Sequence, residues 1–449
     1  MRKLLKTLFL GVLVLPLVST GSWAKTQQEQ IDELKRMIEQ NQRENQELRQ
    51  KLEQIEAERA TEKMKVEEFM TKEEKKDEEL STLYNIFKRI DLGFSVDTTY
   101  QYVFNHPENE PIQLRSLYTE DNQFAINAFT ITLAKTPVME ESFWDLIGFR
   151  ADILFGEQAD NLASTGFGDD VVAPYQLYLH VLAPVGNGIG IQAGRFVTLA
   201  GYEVIEAKNN PNITRSILFG FAIPFTHTGI RTSYSAGPLT FYAGLNNGWD
   251  VTEETNDAKT IEGQIALALP DIAPSVTNIS LAVTGYFGEE TSDDPALLYD
   301  DWRNLVTVVG SVTLFDILKL VADVDFGWQR GITSVDLGLD NDQAFWWGVA
   351  GYAIVDLHPA VGFAVRAEYF DDQEGFRTGL EQKLFEITPT LAIKPFKGLI
   401  SGNRYLDNFE FRAEFRWDHS NEEFFVDDDG GLKENQYGIT GQLLYWIDL

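Results

Sequence analysis

Two hydrophobic periods divide this chain. Between residues 25 and 88 the apolar side chains recur at seven-residue spacing, whereas apolar and polar residues alternate one by one from about residue 90 onward. The first period is typical of a helix with one apolar seam, and the second of strands with one apolar face. We therefore expect an N-terminal helix over 25–88 and an all-β domain over 89–449.

The alternating segments predict sixteen strands. Most are about 10–14 residues long, which exceeds the 5–6 residues usual for strands in globular proteins. An even number of long strands, each with a polar or charged second face, is typical of an antiparallel transmembrane β-barrel. The predicted strands cover 90–105, 122–135, 145–156, 174–183, 188–199, 226–236, 238–249, 259–269, 276–288, 302–315, 318–330, 343–357, 359–371, 382–395, 405–419 and 435–449.

Short and long connections alternate between these strands, apart from a moderately long turn near 396–404. Outer-membrane barrels have short periplasmic turns and long external loops. This pattern places both ends of the barrel, and therefore residues 25–88, on the periplasmic side. The long connections include 106–121, 157–173, 200–225, 289–301 and 420–434.

The heptad pattern of residues 25–88 predicts a coiled coil. Glycine and proline are absent from 25–92, and two asparagines occupy seam positions, where polar residues fix the register. We expect a homo-oligomer, with a trimer favoured, because a lone helix would leave the seam in water. A solvated single helix or a disordered acidic linker is the alternative. The predicted seam comprises Ile31, Leu34, Ile38, Asn41, Asn45, Leu48, Leu52 and Ile55.

The first 24 residues have the pattern of a secretory signal peptide. Basic residues precede a short apolar stretch, and Ser22 and Ala24 are small residues suited to a cleavage site. A membrane-anchor helix is the alternative, but the apolar stretch is too short to cross a bilayer.

Composition narrows the functional classes. The 449 residues carry a net charge of -32 and no cysteine. A nucleic-acid partner is therefore excluded, since such binding depends on clustered basic residues. Most of the acidic excess falls on the connections assigned to the outer side. We expect this acidic collar to favour cations mildly and to bridge to lipopolysaccharide through divalent ions.

The connection over 200–225 differs from its neighbours. It is formally neutral and contains the apolar run Ile217–Ile223, which an exposed loop would not need. We expect it to fold into the barrel and narrow the passage, while packing against a neighbouring subunit is the alternative. Its charged residues are Glu203, Glu206, Lys208 and Arg215.

Charged residues on the polar faces of the strands are expected to point into the lumen, because placing them toward lipid costs about 2–4 kcal/mol for Arg or Lys. They either select solutes or brace the wall with ion pairs, and the sequence leaves both open. The predicted pore-lining residues are Arg150, Asp152, Arg231, Asp323, Asp325, Arg366, Glu368, Arg412, Glu414, Arg416 and Asp418.

Catalytic signatures are missing from the sequence. The five histidines form no HExxH motif, and neither a phosphate-binding loop nor a G-x-S-x-G motif is present. The run Asp427–Asp429 lacks the spacing of an EF-hand. We therefore expect no enzyme activity, no cofactor and no metal site, and a hydrolase is disfavoured.

Several short motifs follow one another in a fixed order along 90–449. They are Gly194–Phe196, Gly201–Val204, Asn209–Asn210, Arg215–Ser216, Pro224, His227–Gly229, Arg231, Gly244–Trp249, Arg366–Asp372 and Arg412–Asp418. Together they resemble the OmpL-like family of outer-membrane β-barrel porins. The resemblance implies passive diffusion of small hydrophilic solutes or ions through a barrel in outer-membrane lipid. The coiled coil adds the alternative of a structural tether toward peptidoglycan.

Overall fold

The computed structural model divides the chain into two compact units, residues 1–85 and 86–449. The predicted signal peptide over 1–24 lies outside the residues that the structure describes. The described residues are 27–87, 89–107, 111–139, 143–163, 167–169, 171–292, 294–397 and 405–449.

The N-terminal helix is a single element, α1, of 61 residues over Gln27–Phe87. Five seam residues, Leu34, Ile38, Leu48, Leu52 and Ile55, are each 52–57% exposed. Asn41 is also exposed, and the side chains of Ile31 and Asn45 lie outside the described residues. The helix is confirmed, whereas its assembly into a coiled coil stays a prediction.

Among the described helices, none is both long enough and apolar enough to cross a bilayer.

The second unit is a closed antiparallel barrel of sixteen strands, as the alternation predicted. Each barrel strand pairs with the next barrel strand along the chain. The last strand, β18 (Asn435–Asp448), closes the barrel against the first, β1 (Asp91–Val103), for example through Val96 opposite Tyr445. The first eight barrel strands are β1 (Asp91–Val103), β2 (Gln123–Lys135), β3 (Ile147–Phe155), β4 (Val172–Ala183), β5 (Ile189–Val197), β6 (Thr226–Ala236), β7 (Leu239–Asn246) and β8 (Thr260–Ala273). The others are β9 (Val276–Ser292), β10 (Tyr299–Leu314), β11 (Leu318–Ser334), β12 (Leu339–His358), β13 (Val361–Asp372), β14 (Gln382–Ile393), β15 (Phe409–Ser420) and β18 (Asn435–Asp448).

Burial along the strands is inverted relative to a water-soluble protein. On β15, Arg412, Glu414 and Arg416 are buried, while Phe411 and Phe415 are 47% and 40% exposed. The apolar residues therefore form the outer surface and the polar residues face inward. This is the arrangement expected of a barrel surrounded by lipid.

Two connections are shorter than the sequence predicted. The link between β9 and β10 is 293–298 rather than 289–301, and β11 joins β12 through 335–338. Pairing continues to Ser334 opposite Leu339, so residues expected in loops extend the strands instead. The strict alternation of short and long connections is therefore wrong at this part of the barrel.

Smaller elements lie in the long connections. The helix α2 (Gln158–Leu162) follows β3, and the two-residue strands β16 (Phe425–Val426) and β17 (Leu432–Lys433) pair between β15 and β18. Residues 200–225 contain a 3-10 turn over Ala207–Asn209 and a π-helical turn over Leu218–Ala222.

Candidate functional site

Residues 200–225, hereafter the inserted segment, leave β5 and cross the interior of the barrel before β6. Their apolar side chains explain the inward course, since Ile213, Ile217 and Leu218 are at most 1% exposed. Burying such side chains releases water from apolar surface, which favours the compact path over an exposed loop. The sequence prediction that this segment folds inward agrees with its position.

The entry of the segment is fixed by strands β8 to β11. The Leu199 amide donates to the Tyr286 hydroxyl at 2.9 Å, and the Leu199 carbonyl accepts from Gln264 at 3.0 Å. Farther on, the Tyr202 amide donates to Asp323 Oδ2 at 2.8 Å. Inward side chains of the wall thus replace the ladder partners that this backbone lacks.

Glu414 on β15 holds the far part of the segment. Its carboxylate accepts from the amides of Ile213 and Thr214 at 2.6 and 2.9 Å, and from the Thr214 hydroxyl at 2.5 Å. The Thr390 hydroxyl donates to the same carboxylate at 2.7 Å. A carboxylate bound by neighbouring amides is a strong anchor, because each hydrogen bond is charge-assisted.

A break in the wall provides another anchor beside Glu414. The pairing of β14 with β15 skips from Ile387 to Thr390, around Pro389, which has no amide hydrogen to donate. The Thr388 carbonyl accepts instead from the Asn212 side chain at 3.0 Å. An irregularity of the wall is therefore used to bind the segment.

Arg366 and Glu368 on β13 hold the middle of the segment. Arg366 Nη1 donates to Glu203 Oε1 and to the Thr214 carbonyl, both at 2.7 Å, and Arg366 Nε donates to Glu386 at 3.0 Å. The Ile217 amide donates to Glu368 at 2.7 Å. Arg366 is 0% exposed, so its charge is balanced within this network.

Arg215 ties the two limbs of the segment together. Its guanidinium donates to the carbonyls of Val204, Ile205 and Ile213 at 2.8–2.9 Å. Arg215 is 2% exposed. It therefore acts as an internal brace of the segment, and residues 205 and 216 are brought near each other.

The other predicted constriction residues divide into two positions. Glu203 is 3% exposed and bonds to Arg366. Lys208, by contrast, donates to Asp448 at 3.0 Å and lies 3.6 Å from Glu206. Asp448 ends β18 at the short-turn end of the barrel, so the segment reaches deep into the lumen.

The predicted pore-lining residues point inward, but most of them contact protein and not open solvent. All except Arg150 are less than 9% exposed. The inserted segment lies beside these charges in the interior, so many of them bond to it or to one another. Their role in solute selection stays a prediction.

Neighbouring ion pairs join several of these residues within the wall. Arg150 lies 2.6 Å from Asp152, and Arg231 lies 2.6 Å from Glu262. On β15, Arg412 pairs with Glu410 at 2.7 Å. Ion pairs of this kind brace the wall, which is one of the two roles that the sequence left open for these charges. They coexist with the hydrogen bonds from the wall to the inserted segment.

A second inward connection was missed at the sequence level. Residues 104–122 place Ile112 and Leu114 in the interior, both at most 3% exposed. Arg115 lies 2.9 Å from Asp418, and Arg416 donates to the Leu114 carbonyl at 3.3 Å. Burial, and then the charge of Arg416, lower the pKa of Arg115 to about 10. Unlike 200–225, this connection has no contiguous apolar run, because polar residues separate Ile112, Leu114 and Leu117.

Two arginines toward the long-loop end were also missed. The Arg303 guanidinium lies 5.2 Å from the Trp249 ring and 4.8 Å from the Tyr299 ring. Arg377 lies 5.3 Å from the Trp346 ring and donates to the Phe221 carbonyl of the inserted segment. Burial, and then the charge of Arg303, lower the pKa of Arg377 to about 10. Nothing in the sequence spacing brings these aromatic and basic residues together.

One exposed acidic group remains outside this interior. Within the described part of the chain, Asp427, Asp428 and Asp429 form a group whose carboxylate oxygens lie within 4.8 Å of one another. Such groups are common on acidic surfaces.

Comparison with known proteins identifies the fold and the family. The model of the OmpL-like beta-barrel porin-2 family matches residues 89–446. The chain belongs to this family. The curated proteins compared with the sequence include none that matches it.

Solved outer-membrane proteins share the barrel of this porin-family chain. The channel DcaP of Acinetobacter baumannii is 13% identical, with 80% of this chain and 97% of that chain covered and a TM-score of 0.50. An anion-selective porin from Comamonas acidovorans is 12% identical, with 80% and 99% covered and a TM-score of 0.51. OmpT of Vibrio cholerae is 9% identical, with 80% and 97% covered and a TM-score of 0.50.

At these identities the likeness concerns the fold alone. The family match and the barrel together make this chain a porin-type outer-membrane protein, and its location is the outer membrane. The family and the fold are those of channels and not of enzymes.

Proposed function

We propose that this porin passes small hydrophilic solutes or ions by passive diffusion, through a path narrowed by residues 200–225. The observation that carries the proposal is the hydrogen bonding of this segment to separate parts of the wall, at Asp323 on β11 and at Glu414 on β15. A sixteen-strand barrel would otherwise leave a wide aqueous channel. A segment bound to separate parts of the wall restricts that channel to whatever space it leaves.

Planar-bilayer recording tests the proposal directly. The purified full chain should insert and give discrete conductance steps, smaller than those of general porins of equal strand number. Barrels that fold, as judged by their heat-dependent mobility on gels, yet give no conductance would contradict a diffusion channel.

The acidic long-loop end supports a mild cation preference. Asp427, Asp428 and Asp429 are on this side, and the whole chain carries -32. Fixed negative charge at an entrance concentrates cations, and salt screens the effect. The same carboxylates would bind lipopolysaccharide through divalent ions. A reversal potential that shows anion preference would contradict this selectivity.

The helix supports a periplasmic assembly role. At 1.5 Å per residue its 61 residues extend about 90 Å. Its exposed seam favours a homo-oligomer, with a trimer as the expected state. We propose that residues 25–88 lie in the periplasm, because short turns mark the end of the barrel at which both termini of the barrel lie. The alternative function, a tether to peptidoglycan, is favoured only by this helix. Binding of the full chain to purified peptidoglycan, lost when 25–88 are removed, would support it, and no binding would contradict it.

A further inference from the structure

Two carboxylates on β11 lie in the interior without the partners that the other inward charges have. Asp323 is 3% exposed and Asp325 is 0% exposed. Asp323 Oδ1 and both carboxylate oxygens of Asp325 are buried, and Asp325 has only the neutral hydroxyl of Thr307, opposite it in the strand register, as a donor. The remaining oxygen, Asp323 Oδ2, accepts the Tyr202 amide of the inserted segment.

No basic residue compensates these two charges. Among the ion pairs of the described residues, none includes Asp323 or Asp325, whereas Glu203 and Glu368 both pair with Arg366. Glu203 and Glu368 add to the negative charge around the pair. An uncompensated charge in a protein interior costs several kcal/mol, so the site needs either a cation or protons.

A neutral oxygen lies beside Asp323, independently of the carboxylates. The Tyr352 hydroxyl on β12 is buried and has no hydrogen-bond partner. In the strand register Asp323 lies opposite Ala350, so Tyr352 is its diagonal neighbour, at a separation that an aromatic side chain spans. The Tyr352 ring also lies 4.8 Å from the Tyr202 ring, next to the amide that Asp323 binds.

We propose that Asp323 and Asp325 form a binding site for a hard divalent cation of the Ca²⁺ type, with the Tyr352 hydroxyl beside Asp323. All the unpartnered atoms are oxygens, which are the ligands that Ca²⁺ takes, and water completes the coordination. The two carboxylates supply the charge that a divalent ion neutralises. Since Asp323 also binds Tyr202, the ion fastens the inserted segment to β11. This binding is independent of whether the barrel conducts.

Terbium luminescence tests the site in the full chain. Tb³⁺ replaces Ca²⁺ at oxygen sites and emits when nearby tyrosines are excited. The exposed acidic group is first removed by Asp427→Asn, Asp428→Asn and Asp429→Asn. In this background we expect saturable emission that Ca²⁺ suppresses, and Asp325→Asn should weaken the affinity at least about tenfold.

The matched control is Asp336→Asn, the same chemical change at an exposed loop position. It should leave the titration unchanged. Equal titrations for Asp325→Asn and Asp336→Asn would overturn the proposal. They would mean that protons, and not a cation, neutralise Asp323 and Asp325.

A measurement without a variant at the site covers the case in which Asp325→Asn does not fold. The background protein should unfold at a lower temperature after chelation and recover when Ca²⁺ is returned, with less recovery in Mg²⁺. An unfolding temperature that does not change on chelation would also overturn the proposal.

Discussion

Arg366 is the side chain at which the inserted segment and the barrel wall meet. It bonds to Glu203 and Thr214 of the segment and to Glu386 of β14, all within 3.0 Å. Removing one partner of such a buried set leaves an unpaired charge, which is more costly than the loss of a surface pair. Inward charges of this barrel are therefore assigned first to holding the segment.

The substitution Glu414→Gln tests this assignment at a single side chain. We expect the free energy of unfolding to fall by about 2 kcal/mol, because hydrogen bonds to charged groups contribute about 1.5–3 kcal/mol and the amide oxygen retains some of them. Denaturant unfolding in detergent measures the change.

The control for this substitution is Glu423→Gln, at an exposed loop position. It should be neutral within about 0.5 kcal/mol. Equal stabilities of the two variants would mean that the Glu414 carboxylate does not anchor the segment.

The elements were predicted from the sequence more completely than the contacts between them. Period-two alternation located all sixteen barrel strands, because one face must meet lipid and the other must not. It could not show that Thr388 would bond to Asn212, since that contact depends on a pairing break and a loop path. Residues 104–122 were missed because their buried residues follow no period.

Helix α1 continues its heptad register beyond the predicted seam. Val66, Phe69 and Leu80 fall on the same positions and are 55%, 63% and 54% exposed. Charged residues interrupt the register at Arg59, Glu62, Glu73 and Lys76, so the apolar stripe is strongest over the predicted seam. The stripe favours self-association there.

The substitution Leu52→Asn tests the coiled coil. We expect the full-chain oligomer to dissociate at higher concentrations than the wild type, because an asparagine replaces an apolar seam residue. Sedimentation in detergent follows the change. Met64→Asn is the control, since Met64 is 63% exposed and lies away from the seam. If both variants dissociated at the same concentration, the coiled coil would not contribute to the stability of the oligomer.

At the scale of the whole molecule, we expect the position of the acidic residues to determine ion selectivity more than the net charge of -32 does. Asp427, Asp428 and Asp429 lie in a long loop of the barrel unit, whereas α1 carries its acids in the other unit. Only charges within about a Debye length of the entrance act on a passing ion.

Neutralising the loop acids tests this view of selectivity. Asp427→Asn, Asp428→Asn and Asp429→Asn together should reduce cation preference at low salt, with the difference vanishing near 1 M salt because of screening. The reversal potential in a salt gradient measures it. Glu53→Gln, Glu56→Gln and Glu58→Gln remove the same charge from α1 and should have no effect. An equal effect of both sets would indicate that net charge, not position, sets the preference.

The most direct measurement is the single-channel conductance of the full chain without residues 206–215. The Ser216 amide bonds to the Glu203 side chain, so the two limbs of the segment adjoin at the cut, and the strand pairing of the barrel does not include the deleted residues. Removing the exposed residues 427–430 is the control for deletion itself. If the inserted segment narrows the passage, the conductance in 1 M salt, where the loop charges are screened, rises clearly in the 206–215 deletion and stays at the wild-type value in the control. A folded 206–215 deletion with unchanged conductance would contradict the account.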